Sequence, residues 1–148
     1  MRTLGLSLDE VERQLCKDSG LKGISGISND VRDIQAAAAQ GNADAKLALD
    51  TFVTAARHWI GSYCFQLNGA DALVFTAGIG ENRTELREAI CANLDQLGIA
   101  LDPAANAKVK AEEATISALS SKVKILVIPT NEELVVAREV KRFLDRKR

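Results

Sequence analysis

Apolar residues recur along this chain at two spacings, and the spacings predict its elements. From residue 45 to about 68, Leu49, Phe52, Val53, Ala56, Trp59, Ile60 and Tyr63 return every three or four positions. That pattern predicts one long helix with a broad apolar stripe, spanning roughly 36 Å and expected to be the central packing helix. Upstream, Ser7-Leu8-Asp9-Glu10 reads as a capping box ahead of Val11 and Leu15, opening a short helix over 7–18. Residues 20–29 are rich in Gly and Ser yet carry Ile24 and Ile27. They are expected to form a buried or cleft-lining loop whose isoleucines need burial. A helix is expected to start at Asp30-Val31-Arg32-Asp33 and run to about Gln40, with Ser28, Asn29 or Asp30 as its cap, before Gly41-Asn42-Ala43-Asp44 breaks it.

The second half alternates strands and helices. Leu73-Val74-Phe75 is a short β-favouring run that meets the turn Thr76-Ala77-Gly78-Ile79-Gly80-Glu81-Asn82. Asn82 and Glu85 form a capping-box-like pair for a helix over 83–96, with Leu86, Ala89, Ile90, Leu94 and Leu97 inward and Gly98 closing it. The two glycines of the turn are expected to allow positive φ and a close approach of backbone to ligand. Residues 102–122 are polar and weakly patterned, and read as loop with a short strand at 114–118. Lys124-Ile125-Leu126-Val127-Ile128 is a buried strand, stopped by Pro129. Thr130 and Glu133 pair as a capping box for a final helix, whose basic end (Lys141, Arg142, Arg146, Lys147, Arg148) complements the helix dipole.

Composition narrows the function classes. The 148 residues are 47% hydrophobic and 26% charged, with a net charge of −1, which fits one domain with a real core. Near-neutral charge leaves no electrostatic footprint for nucleic acid. The apolar runs are far short of a membrane span, and the N-terminus has no signal-peptide pattern. Cys16, Cys64 and Cys91 are odd in number and lack C-x-x-C spacing, which points to a reduced, cytoplasmic protein. His58 has no second histidine beside it and reads as structural or surface, not as a ligand or base.

Three segments carry candidate chemistry. A strand, a Gly-x-Gly turn and a helix N-terminus present free N–H groups to an anion, although the same turn serves equally as a structural one. It is not G-x-G-x-x-G, because Arg83 holds the third glycine position, and no Walker lysine follows. Arg32 and its aspartates read either as site residues or as a solvated first turn. Glu132, in the first turn of the last helix, is free to hold a water of a Mg²⁺ shell or is simply an acidic residue favoured by the dipole. All three segments lead into helix N-termini, and two leave the C-terminal end of a predicted strand, where open α/β sheets bind ligands. A phosphate or nucleotide site is therefore the leading expectation.

The segments Gly23-Ile24-Ser25-Gly26-Ile27-Ser28-Asn29-Asp30-Val31-Arg32-Asp33, Phe75-Thr76-Ala77-Gly78-Ile79-Gly80-Glu81-Asn82 and Val127-Ile128-Pro129-Thr130-Asn131-Glu132-Glu133 resemble, in order and spacing, the C-terminal part of acetate kinases. That family belongs to the acetate and sugar kinase/heat-shock-70/actin superfamily. The resemblance implies an α/β fold: a partial ribonuclease H-like (actin-like ATPase) C-terminal nucleotide-binding lobe over 1–148, helix-rich with a small sheet. It implies that Asp30, Val31, Arg32, Gly78, Ile79, Gly80, Glu81 and Asn82 contact ATP or ADP and that Glu132 helps bind Mg²⁺, with no catalytic residue in this chain. The implied reaction interconverts acetyl phosphate plus ADP and acetate plus ATP, in a homodimer assembled mainly through C-terminal domains. Arg83 stands where many members have Ser, just past the contact segment, so nucleotide binding is expected to survive.

Members of the family are much longer. The N-terminal acyl-binding lobe, a phosphate hairpin, the catalytic arginines and the active-site histidine have no counterpart here, and with them goes the choice among acetate, propionate and butyrate. The chain alone is expected to be catalytically incomplete and to self-associate or depend on an N-terminal lobe, because a two-stranded remnant with a bare edge is marginal. The alternative is a non-catalytic nucleotide-binding or dimerisation module left by truncation.

Overall fold

The computed structural model describes residues 5–146, in two compact units divided after Gly69. Lys147 and Arg148, part of the expected basic end, lie outside the described residues.

The first unit is helical. Helix α1 (Leu8–Cys16) opens on the predicted capping box: the Ser7 hydroxyl accepts from the Glu10 N–H, and the Glu10 carboxylate accepts from the Ser7 N–H at 2.8 Å. The Gly/Ser stretch is not a loop throughout. It contains a short helix, α2 (Gly20–Ser25), closed by Gly26 at φ 68°. Ser25 is buried there, whereas Ile24 and Ile27 are exposed, so the isoleucines do not find the burial expected of them. Asp18 anchors this region by accepting from Arg13 at 2.6 Å and Lys22 at 2.7 Å, and the Lys22 bond in the first place holds its carboxyl below the usual aspartate value.

Helix α3 (Val31–Ala39) follows, with Asp30 as its cap, and α4 (Ala43–Gln66) is the long helix of 24 residues. Ile34, Ala45 and Ala48 are fully buried, with Leu21, Ala37, Ala38 and Leu49 packed around them. Alanines of both helices, Ala37 and Ala38 on α3 and Ala45 and Ala48 on α4, take part in this cluster. Packing therefore concentrates in the first half of α4. Farther along, Trp59 and Tyr63 are each 58% exposed, so the expected inward stripe is only partly covered.

The second unit is a small sheet with helices. Strand β1 (Ala72–Phe75) leads into α5 (Ala77–Asn82) and α6 (Thr84–Cys91). A 3-10 turn (Asp95–Leu97), helix α7 (Pro103–Lys108) and strand β2 (Ala114–Thr115) precede β3 (Lys124–Val127) and α8 (Glu132–Asp145). The sheet order is β1-β3-β2. β1 runs parallel to β3 with Phe75 opposite Val127, and β2 is antiparallel with Ala114 opposite Val127. Phe75, Leu86, Ile90, Ile99, Val109, Ile116, Ile125 and Val127 are buried in this unit. Three strands, not two, therefore form the sheet.

Four local expectations are corrected. The helix expected over 83–96 stops at Cys91, and Leu97 is 62% exposed. Gly98 does close a helical turn, the 3-10 one, at φ 79°. Residues 103–108, expected to be loop, are helical because Asp102 caps two N–H groups and Pro103 occupies the first turn. The last helix is capped by Asn131, which accepts from the Leu134 N–H at 2.9 Å, and not by a Thr130–Glu133 pair. No residue of α8 is buried, and no helix among the described residues is long and apolar enough to cross a membrane.

Candidate functional site

Because β1 and β3 are parallel neighbours, their C-terminal ends share one rim of the sheet. The chain leaves β1 through Thr76 into α5 and leaves β3 toward α8, and side chains tie the two exits together. The Thr130 N–H donates to Glu81 Oε1 at 2.8 Å. The Thr130 hydroxyl accepts from the Ala77 N–H at 3.2 Å and shares a hydrogen bond with the Thr76 hydroxyl at 2.8 Å. The structure thus brings the Gly-x-Gly segment and the approach to Glu132 together. Glu81 spends its carboxylate on the neighbouring loop, and Glu132 is exposed in the first turn of α8.

The Gly-x-Gly segment differs in detail from expectation. It is a helical turn, α5, and its left-handed residue is Ala77 at φ 58°, not a glycine. Asn82 is not the cap of the next helix; it lies within α5, and its side-chain amide donates to the Gly78 carbonyl at 3.0 Å. The N–H groups of Gly78 and Ile79 occupy the first turn, where a helix supplies no internal acceptor. A Cβ on Gly78 would meet nothing within 4 Å, so this face of the turn is open. A Cβ on Gly80 would lie 3.2 Å from the Phe75 carbonyl carbon. Gly80→Ala is therefore expected to cost about 1–3 kcal/mol as α5 is pushed off the end of β1. Urea unfolding tests this, and an unchanged midpoint would refute it.

Sequence reasoning missed Arg87. Its side chain is fully buried, at 1% exposure. The Nη1 donates to the Gly80 and Glu81 carbonyls at 2.8 Å each. The Nε donates to Asn106 Oδ1 at 2.7 Å, and the Nη2 to the carbonyls of Asn106 at 3.1 Å and Val109 at 2.7 Å. Burial pushes the guanidinium below the usual arginine value, while the charge of Glu85 works the other way. The signal was positional: Arg87 falls on the same helical face as Leu86, Ile90 and Cys91, all buried.

In the first unit, Asp30 caps α3 by accepting from the Arg32 N–H at 2.8 Å. The same carboxylate receives the Arg32 side chain, with Nε at 2.9 Å and Nη2 at 2.5 Å from Oδ2. The Asp30 hydrogen bonds, and then its charge, raise the Arg32 value. Val31 is buried, at 4% exposure. His58 is exposed and sits edge-on to Trp59 with ring centroids 5.6 Å apart. Among the described residues no three His, Cys, Asp or Glu side chains are grouped to hold a metal ion.

Comparison with known proteins supplies a family. The family model described as the acetokinase family matches residues 1–138. An acetate kinase of Treponema denticola is 56% identical over 134 residues, covering 90% of this chain and 34% of that protein. The crystal structure of Porphyromonas gingivalis acetate kinase matches with a TM-score of 0.86 at 35% identity, over 97% of this chain and 36% of that one. A propionate kinase from Francisella tularensis matches with a TM-score of 0.80 at 41% identity, over 93% of this chain and 35% of that one. The chain thus spans about 35% of the length of curated relatives it matches.

Proposed function

The chain belongs to the acetokinase family, and from that premise we propose that it supplies the adenine-nucleotide and Mg²⁺-binding part of an acetate kinase-type phosphotransferase. Its fold is part of an actin-like (ribonuclease H-like) ATPase, as in the acetate kinases it matches. Gly78, Ile79, Gly80, Glu81 and Asn82 line the nucleotide in this reading, and Asp30, Val31 and Arg32 are assigned nucleotide contacts by the family resemblance alone. What carries the reading is the shared rim at the ends of β1 and β3, where the open face of α5 and the Glu132 loop are joined through Thr130.

The residues present fit a magnesium ion of a particular kind. Glu132 is the exposed carboxylate assigned to it, and the described residues hold no three-residue cluster that would form a cage. Mg²⁺ suits such a site, since it keeps several waters and is shared with substrate phosphates. Held by Glu132, such an ion would supply neutralisation of phosphate charge.

Acyl selection belongs to the remaining length of such an enzyme, a division supported by similarity to both an acetate and a propionate kinase. The exposed apolar side chains of α8 are assigned to assembly, with an N-terminal lobe or a second copy in a homodimer.

Titration calorimetry tests the central claim. MgADP is expected to bind the chain, and Glu132→Gln to weaken binding about tenfold in Mg²⁺ while leaving metal-free ADP binding unchanged, a loss of ~1.4 kcal/mol. No heat of binding for MgADP would overturn the reading.

A further inference from the structure

Helix α5 is unable to hold its own shape. It has only 6 residues, two of them glycine. A first helical turn is costly to nucleate, and isolated helices shorter than ~12–15 residues are marginal in water. Each interior glycine weakens a helix further, by roughly 1 kcal/mol. The conformation that opens Gly78 and Ile79 outward must therefore be imposed by neighbours. At the N-terminal end Thr130 contributes one bond, to the Ala77 N–H. At the C-terminal end the carbonyls of Gly80 and Glu81 both point to Arg87.

A guanidinium suits this place for two reasons. The end of a helix carries partial negative charge, which favours a cation. Its planar fork also serves several carbonyls at once, as a lysine ammonium on its flexible stem does not. One edge of Arg87 takes α5, and the rest takes Asn106 and Val109 at the end of α7. The Asn106 side chain in turn donates to the Thr84 carbonyl at 3.0 Å, at the start of α6. The Ala111 N–H adds a bond to the Glu81 carbonyl at 3.2 Å, so residues after α7 also brace the turn.

We propose that Arg87 is a positioning residue: its buried guanidinium clamps the α5 turn in the conformation that receives the nucleotide, without touching the nucleotide itself. The proposal rests on the nucleotide-binding reading given above.

Arg87→Lys and Arg87→Gln, made in the 148-residue chain, test it with two independent readouts. The first is amide hydrogen exchange followed by NMR. Exchange at Gly80, Glu81, Asn82 and Ala111 is expected to quicken in Arg87→Lys at least about tenfold more than at Ile125 and Val127 in β3, which report only the global loss of stability. The second is calorimetry with MgADP, where affinity is expected to fall about tenfold in Arg87→Lys and further in Arg87→Gln. Wild-type affinity in both variants overturns the proposal. So does unchanged exchange at residues 80–82, or equal loosening of β3 or loss of folding in Arg87→Lys, because each assigns Arg87 a general structural role. Should the wild-type chain bind no MgADP, the nucleotide reading itself falls, and the exchange data still decide whether Arg87 holds α5.

Discussion

Assayed alone with MgATP and acetate, the 148-residue chain is expected to form acetyl phosphate at least ~10³-fold more slowly than a full-length acetate kinase. Phosphoryl transfer asks little covalent chemistry of a protein. It depends on holding donor and acceptor in line and on cations that stabilise charge spread over the equatorial oxygens. The chain spans about 35% of its relatives' length, and the resemblance assigns the catalytic arginines and the active-site histidine to the rest. One arginine acting on the transferred group is worth ~10³–10⁵ in rate, and orienting the acyl substrate is worth more again. Trapping acetyl phosphate as its hydroxamate measures the rate directly. A polypeptide corresponding to the relatives' remaining length, added in trans, is expected to raise it. A rate from the chain alone within about tenfold of a full-length relative would refute the division of labour proposed here.

Replacing Arg87 by methionine is expected to lower the free energy of unfolding by roughly 3–5 kcal/mol. Methionine fills much of the volume, so a cavity is not the main cost. The loss comes from the acceptors left behind: the carbonyls of Gly80, Glu81, Asn106 and Val109, and Asn106 Oδ1, all of which take a hydrogen from Arg87. A buried acceptor stranded without a donor costs about 1–3 kcal/mol, and neighbours in one network do not add independently. Against a typical domain stability of about 5–15 kcal/mol the effect is large. Urea denaturation monitored by circular dichroism measures it, and a loss below about 1 kcal/mol would show that water reaches those carbonyls freely.

Elements with a strong local signature were legible from residue order alone. The Ser7–Glu10 capping box, the long α4, the Phe75 strand and the Ile125–Val127 strand appear where periodicity and capping put them. What escaped was decided by competition. Thr130 was a plausible cap, but its hydroxyl is engaged by Thr76 and the Ala77 N–H, leaving the cap to Asn131. Asn82 was a plausible cap too, until α5 absorbed it. The segment at α7 did carry a legible signal in Asp102 and Pro103, masked by its weak apolar pattern. Arg87 escaped because its place on the inward face does not by itself tell that a cation is buried there; that depends on carbonyls supplied by Gly80, Glu81, Asn106 and Val109, two of them about twenty positions away. For the site, order revealed which loops lead into helices; the threonine link between two of them needed the sheet.

Helix α8 shows what an unfinished surface does to a protein's fate. Leu134, Val135, Val136, Val140, Phe143 and Leu144 are each 42–63% exposed, and none of its 14 residues is buried. With no residue fully buried, a helix of that length draws little stability from packing and is marginal by itself. Chaperones and degradative proteases both recognise exposed apolar segments, so the abundance of this polypeptide in a cell would be governed by how quickly something shelters the stripe on α8.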